Sequence, residues 1–179
     1  MKNNKYKILV LSDLKDKSNQ VLSYAAKLSN EIDASLEFFY AKSAAEISQI
    51  ENPFLVISTI RDTCNKIDRE VKHLVTPISK ENNTKIKTTF AFGNVKNEIK
   101  NFIKTSQPDM IILGERKQRR FNFLGDNITQ LVHKNFEGVV FVATEKNVLD
   151  SKGNVSLDNL GLKNNIENYN MKKKNDIMV

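Results

Sequence analysis

The chain has 179 residues, of which 40% are hydrophobic and 27% charged, and its formal net charge is +7. This length suits one domain with an appendage, and the composition is that of a folded protein. One cysteine and two histidines exclude a disulfide framework and a closed structural zinc site of the usual kind.

Neither a membrane nor a nucleic-acid partner is expected from the sequence. No window reaches the roughly 18 consecutive apolar residues of a membrane span. The apolar run at residues 8–11 is too short for the core of a signal peptide, and we therefore expect a cytoplasmic protein. Lysines are abundant along the whole chain, and such diffuse basicity permits contact with nucleic acid without indicating it.

The first half of the chain alternates short apolar runs with helical periodicity. Residues 8–11 are continuously apolar, which is typical of a strand buried on both faces of a parallel sheet. Residues 36–41 predict a second strand, followed by a short helix over residues 44–50 that ends at Asn52-Pro53. Between the strands, apolar residues recur at the spacing of an amphipathic helix, at Val21, Ala25, Leu28 and Ile32.

The clearest periodicity predicts a second long helix. Its apolar positions alternate steps of four and three and form one face, at Ile60, Cys64, Ile67, Val71, Leu74 and Ile78. Pro77 is expected to end or kink this helix. Cys64 lies in the apolar stripe, so we expect a buried small hydrophobic residue rather than a reactive thiol.

The second half predicts three further strands and two helices. Residues 85–92 and residues 110–113 are strand candidates, the second of them closed by Gly114. A helix follows the Gly93-Asn94 turn, and another follows Gly125-Asp126 after a basic loop at residues 115–120. Val139–Ala143 is the last strand.

Strands that alternate with helices in this way indicate an α/β domain with a parallel sheet and right-handed crossovers. We place this domain at residues 1–144. Residues 145–179 are rich in asparagine and lysine and are expected to form a tail outside the core. Its apolar residues leave open local order or docking on a partner: Val155, Leu157, Leu160, Leu162 and Ile166.

Several catalytic and nucleotide motifs are missing from the sequence. It contains no G-x-x-x-x-G-K-[ST], no G-x-G-x-x-G after the first strand, and no G-x-S-x-G. Its two histidines, His73 and His133, lie on predicted amphipathic helices and do not favour a catalytic triad. No nucleophile–base pair and no metal cluster is recognisable, so we expect a binding protein and not an enzyme.

The predicted topology points to one crevice. In an open α/β sheet, ligands bind beyond the carboxyl ends of the strands where the strand order reverses. With the order 3-2-1-4-5, Asp13 and Gly114 end neighbouring strands at that point. Asp13 could accept hydrogen bonds from a sugar hydroxyl, and Gly114 would let a ligand approach the backbone. The start of the fourth helix, near Gly125, would offer N–H groups to an anion.

These segments resemble the universal stress protein family of the UspA type. The resemblance rests on ILVLSD at residues 8–13, YAAKL at 24–28 and PDMIILG at 108–114, in the right order. It covers about residues 5–145. It implies a five-stranded Rossmann-like fold of the adenine nucleotide alpha hydrolase type and a homodimer formed through the last strand, Val139–Ala143. It also implies a binding or regulatory role in the stress response.

Members of this family that bind ATP resemble G-x2-G-x9-G-[ST] after the fourth strand, and this chain departs from that pattern. Gly114 supplies the first glycine, but Lys117 stands at the second. Only seven residues separate Lys117 from Gly125, and Asp126 replaces the Ser or Thr. Asp126 would cap its own helix and repel an anion there. We therefore expect no cofactor and no ATP binding of the family's usual kind.

The alternative is a switch that binds ATP or another adenine nucleotide. Asp13 fits the family's adenosine-site aspartate, and the backbone of Ala41 and Gly114 would help to hold the nucleoside. The basic loop at residues 116–120, which begins with Arg116 and Lys117, could clamp the phosphates together with Gly125. The plainer interpretation of this loop is a solvated surface segment.

Overall fold

The computed structural model describes residues 5–14, 18–45, 47, 49–114 and 128–144. In these residues the strands pair in parallel in the order β3-β2-β1-β4-β5, which confirms the predicted α/β class and strand order. The elements, in chain order, are β1 (Tyr6–Ser12), α1 (Ser18–Glu31), β2 (Ala34–Ser43), α2 (Pro53–Glu81), β3 (Ile86–Gly93), α3 (Val95–Ser106), β4 (Met110–Gly114), α4 (Ile128–Asn135) and β5 (Val139–Ala143).

The helices cover both faces of the sheet because side chains alternate along each strand. Ile8 and Val10 of β1 pack in one core with α1 and α2. Leu9 and Leu11 pack in a second core with α3 and α4. All four of these β1 side chains are buried, so β1 is covered from both sides, as the continuous apolar run predicts.

The helix α2 is longer than its apolar spacing predicts, and two details of the prediction were wrong. Asn52-Pro53 does not end a helix but begins α2: the Asn52 side chain accepts the Phe54 N–H at 2.9 Å, and Pro53 stands in the first turn, where a missing N–H is tolerated. Pro77 does not end α2 either, and a kink at Pro77 stays a prediction. The helix continues to Glu81 because Ile78 is buried after the proline and accepts the Asn82 N–H at 3.1 Å.

Two smaller expectations also need correction. The described part of residues 44–50 forms turns rather than a helix, with the Ile47 N–H donating to the Ala44 carbonyl at 3.0 Å. Cys64 is half-buried rather than buried, because the N-terminal half of α2 extends beyond the core. The proposed tail, residues 145–179, lies outside the described residues. No helix in the described ranges is long and apolar enough to cross a bilayer.

A buried carboxylate that the apolar pattern did not reveal lies in the middle of β2. Glu37 is only 2% exposed, and its two oxygens contact lysines from both neighbouring strands. Lys87 Nζ on β3 lies 2.7 Å from Oε1, and Lys7 Nζ on β1 lies 2.9 Å from Oε2. Lys7 also donates to the Ser106 carbonyl at 2.7 Å. One acidic side chain therefore ties together three strands and the end of α3.

Two opposing effects act on the pKa of Glu37. Burial alone would raise the pKa, because it penalises the charged form. Hydrogen bonds and positive charge from Lys87 and Lys7 outweigh the burial and hold the pKa of Glu37 below its usual range. The ionised form is therefore the one that stabilises the fold.

We expect Glu37→Gln to lower the free energy of unfolding at neutral pH by about 1.5–3 kcal/mol, the range for hydrogen bonds to a charged group. Since the pKa of Glu37 is lower in the folded chain, its contribution is complete above the unfolded value of roughly 4.3. The contribution disappears as the pH falls through the folded pKa. Urea unfolding of both proteins at neutral pH, and in steps of decreasing pH, measures the difference.

The exposed Glu51 provides the control, since Glu51→Gln removes a carboxylate outside any core. A loss for Glu37→Gln that is the same at every pH would contradict an electrostatic role of Glu37. So would a loss no larger than that of Glu51→Gln.

Candidate functional site

The crevice predicted from topology lies where the strand order reverses, between β1 and β4. Leu11 of β1 pairs in register with Leu113 of β4, so Gly114 lies one residue and Asp13 two residues beyond this pair. Both residues therefore lie at the carboxyl edge of the sheet, at its centre.

The strands end at different heights at this edge, and the difference creates a step. β1 pairs with β2 as far as Ser12 and Tyr40, whereas β2 and β3 remain paired to Ser43 and Gly93. From Ala41 onward, β2 therefore has a strand partner on its β3 side only. The backbone on the opposite side of Ala41 faces the space above the end of β1, where it can bond to a ligand.

A cavity of about 170 Å³ occupies this step. Its apolar floor comes from β1, β2 and the start of α3, with Leu11, Phe39, Val95 and Ile99. Its polar rim comes from the ends of β1 and β2, with Ser12, Asp13, Lys42 and Ser43. An apolar floor with a few polar groups at the rim is the usual make-up of a small-molecule site.

Asp13 and Ala41, two of the residues predicted for the site, both line this cavity. Alternation along β1 puts Asp13 on the same side as Leu11, toward the cavity. The Ser12 side chain points to the opposite face, so Ser12 borders the cavity through its backbone. Its Oγ lies 2.8 Å from Ser18 Oγ and accepts the Leu14 N–H at 3.1 Å. These bonds close the turn after β1, in which Leu14 has a left-handed φ of 57°.

The half-buried carboxylate of Asp13 influences its surroundings. Burial raises the pKa of the Tyr40 hydroxyl, and the negative charges of Glu70 and Asp13 raise it further. Tyr40 packs against the core that α1 and α2 cover, whereas Phe39 and Ala41 belong to the other core, beside the cavity. Alternation along β2 therefore puts the phenol of Tyr40 and the ammonium group of Lys42 on the face away from the cavity. The carboxylate of Asp13 can accept hydrogen bonds from hydroxyl groups of a ligand.

Gly114 packs closely against a helix. A Cβ added there would lie 3.2 Å from Val21 Cγ2 on α1, so the side-chain direction at Gly114 points toward α1. The position does not line the cavity described above. Close packing of β4 against α1 thus explains the glycine without a ligand. An approach of a ligand to the Gly114 backbone stays a prediction.

The remaining predicted site residues lie outside the described residues. They are Arg116, Lys117, Gly125 and Asp126, and the first described residue after them is Ile128, which begins α4. His73 and His133 are exposed on α2 and α4. In the described ranges no three His, Cys, Asp or Glu side chains are grouped so as to hold a metal ion.

Sequence reasoning missed Lys42 and Ser43 as rim residues. The apolar run of β2 ends at residue 41, but the strand continues to Ser43 because β3 pairs with it that far. The polar residues directly after an apolar run were the available signal.

Comparison with solved structures supports the fold assignment. UspA from Lactobacillus plantarum superposes with a TM-score of 0.63 at 16% identity, over 79% of this chain and 99% of its own. A universal stress protein solved in complex with cAMP superposes with a TM-score of 0.57 at 12% identity, over 79% of this chain and 98% of its own. A protein of the universal stress protein family from Burkholderia pseudomallei superposes with a TM-score of 0.56 at 14% identity, over 77% of this chain and 95% of its own.

A search of curated proteins found no match. The family comparison is decisive, because the model of the universal stress protein family matches residues 6–142. Among the described elements, that range includes β1 to β4, α1 to α4 and all but the last residue of β5, together with the residues that line the cavity at the step. The chain therefore belongs to the universal stress protein family.

Proposed function

We propose that this protein is a regulatory module of the stress response that works by binding and not by catalysis. Its ligand is the adenosine part of an adenine nucleotide, held in the cavity at the step of the sheet. The observation that carries the proposal is the arrangement around that cavity. Asp13 and the one-sided backbone of Ala41 meet there above an apolar floor.

Each part of adenosine has a counterpart in this arrangement. A flat base fits the apolar floor, and the backbone at Ala41 can pair with its edge, since backbone groups offer one donor and one acceptor per residue. The carboxylate of Asp13 accepts hydrogen bonds from ribose hydroxyls. The volume of about 170 Å³ is below the roughly 300–1,000 Å³ of pockets that enclose whole drug-sized ligands, so the phosphates would lie outside it.

One relative of the same fold supports this choice of ligand. The universal stress protein solved in complex with cAMP binds an adenine nucleotide and shares the fold at 12% identity. The fold is thus compatible with such a ligand. The specific residues proposed here come from this chain's own cavity.

The phosphate part of the site is proposed to differ from that of ATP-binding family members. Lys117 and Asp126 stand where the family pattern has a glycine and a Ser or Thr. A side chain at residue 117 blocks close approach of the backbone to phosphate, and the charge of Asp126 repels an anion at the start of α4. The triphosphate should therefore add little binding free energy.

We expect adenosine, AMP and ATP with magnesium to bind with dissociation constants within about tenfold of one another, because all three share the nucleoside. Asp13→Asn should weaken each of them by about tenfold or more, since a hydrogen bond to a charged acceptor contributes about 1.5–3 kcal/mol. Isothermal titration calorimetry on the purified full chain measures both effects.

Asp62→Asn is the matched control, because Asp62 is an exposed aspartate of α2, outside the cavity lining, and this variant should bind like the parent. Absence of binding by all three ligands at millimolar concentration would refute an adenosine site. Loss of affinity that is equal in both aspartate variants would refute the role of Asp13.

A second candidate function is an ATP-responsive switch, favoured by the four cations near the end of β4: Arg116, Lys117, Arg119 and Arg120. In that case ATP would bind far more tightly than adenosine. Arg119→Ala together with Arg120→Ala would then remove most of the difference, and added salt would weaken ATP selectively. The same titrations therefore separate the two candidates.

We also propose that the protein acts as a homodimer joined through β5, the edge strand of the sheet. The Val139 N–H donates to the Asp109 carbonyl, on the β4 side, at 3.3 Å. Since backbone groups alternate sides along a strand, those of Val140 point away from β4. A second copy of β5 could pair there and cover an edge of apolar residues.

We expect Val140→Pro to weaken dimer association by at least tenfold, because it removes one outward N–H from each subunit. Sedimentation equilibrium over a range of concentrations measures the effect, and circular dichroism checks that the domain is folded. Val140→Thr keeps the N–H and the branched shape, so it should associate like the parent. A parent chain that is monomeric throughout, or a Val140→Pro protein that dimerises unchanged, would contradict the β5 interface.

A further inference from the structure

The apolar stripe of α2 is buried in the C-terminal half of the helix and exposed to solvent near its N-terminus. Its positions repeat at steps of three and four from Ile57 to Ile78. Four of them are buried against the sheet and α1: Ile67, Val71, Leu74 and Ile78. Toward the N-terminus the same stripe becomes progressively exposed, with Ile60 at 38% and Ile57 at 60%. Phe54, one further step along, is 83% exposed.

The cause is the length of α2. It has 29 residues, whereas the strand that precedes it has ten, so the helix is about 43 Å long and the strand about 33 Å. The first buried residue of α2 is Ile67. The 14 residues before it, roughly 21 Å of helix, contain no fully buried side chain, and the excess length of α2 puts about 10 Å of them past the carboxyl edge of the sheet. Their uncovered apolar surface is Phe54, Leu55, Ile57 and Ile60, which we call the α2 overhang.

The chain leaves the described domain at the same end of the sheet as this surface. Parallel strands end at the same edge, so β5 delivers Thr144 to the carboxyl edge from which the α2 overhang projects. Phe141 and Ala143 of β5 belong to the core that α1 and α2 cover, and Val140 and Val142 pack against the other core. The following segment therefore starts between the two faces, at the end of the sheet from which the α2 overhang projects.

We propose that the apolar part of residues 145–179 docks on the α2 overhang of the same chain. That part contains Val155, Leu157, Leu160, Leu162 and Ile166, a set large enough to cover four exposed apolar side chains. Burial of apolar surface would drive the contact, at about 25 cal/mol per Å². Linkage within one chain favours it over a second molecule, because a tethered segment acts at an effective concentration in the millimolar range.

The reach of the chain agrees with this docking. From β5 to β3, the strand that α2 contacts, the sheet has four strand spacings, which amount to roughly 19 Å. Ten residues separate Thr144 from Val155 and span up to roughly 33 Å when extended. The first apolar residue of the tail can therefore reach the α2 overhang with chain to spare.

A spin label beside the α2 overhang tests the proposal in the full chain. Cys64 is the only cysteine, so Cys64→Ser with Arg61→Cys puts one nitroxide on an exposed position next to the stripe. We expect the amide NMR signals of residues 155–166 to lose intensity several-fold relative to the reduced label. Phe54→Asn with Ile57→Asn should restore them, whereas Asp62→Asn, on the polar side of the same helix, should not.

Two further measurements keep every outcome decisive. A mixture of spin-labelled protein without isotope and ¹⁵N-labelled protein without nitroxide detects contacts between molecules. Signal loss in that mixture comparable to the loss in protein that carries both labels means that a second copy covers the surface, which overturns the proposal, as does the absence of any loss at residues 155–166. In unlabelled protein, Leu157→Asn with Leu160→Asn should speed hydrogen exchange in residues 53–60 several-fold, and unchanged exchange would count equally against docking.

Discussion

The central constraint on this structure is that β1 must be covered on both faces. Ile8 and Val10 belong to one core and Leu9 and Leu11 to the other, so neither face of this strand can meet water without a large loss of apolar burial. Helices must therefore pass on both sides of the sheet. With right-handed crossovers, β2 and β3 are then added on one side of β1, and β4 and β5 on the other. This reversal of direction leaves an opening between the ends of β1 and β4.

The domain separates the groups that stabilise it from those proposed to bind a ligand. The ion-paired Glu37 lies on β2, four residues before Ala41, and thus roughly 13 Å along the strand from the cavity rim. Its partners Lys7 and Lys87 come from the flanking strands. Asp13, in contrast, is positioned by a turn at the other end of β1. Changes at the rim can therefore alter binding with little effect on the buried ion pair.

The order of strands and helices could be predicted because apolar periodicity reports burial directly, as at residues 8–11 and along α2. Other features depended on neighbours that are distant in the sequence. Glu37 interrupts an apolar run, and only the approach of Lys7 and Lys87 explains how its charge is buried. The close contact at Gly114 involves Val21. Asn52-Pro53 is ambiguous by itself, since proline both follows one helix and begins the next. Periodicity also assigns Ile57 to the apolar stripe of α2, but it does not predict whether another element covers this residue.

The division of the helices between the two faces also has a consequence for synthesis on the ribosome. The helices α1 and α2, which cover the face of Ile8 and Val10, are complete by residue 81, whereas α3 and α4, which cover Leu9, Leu11 and Phe39, end only at Asn135. Translation of the intervening residues takes roughly 3–11 s at about 5–20 residues per second. During that interval the two helices of one face are complete, whereas Leu9, Leu11 and Phe39 on the other face still lack both of their covering helices. A chaperone that binds the emerging chain would therefore find its surface on the α3–α4 side, and release would coincide with the arrival of α4.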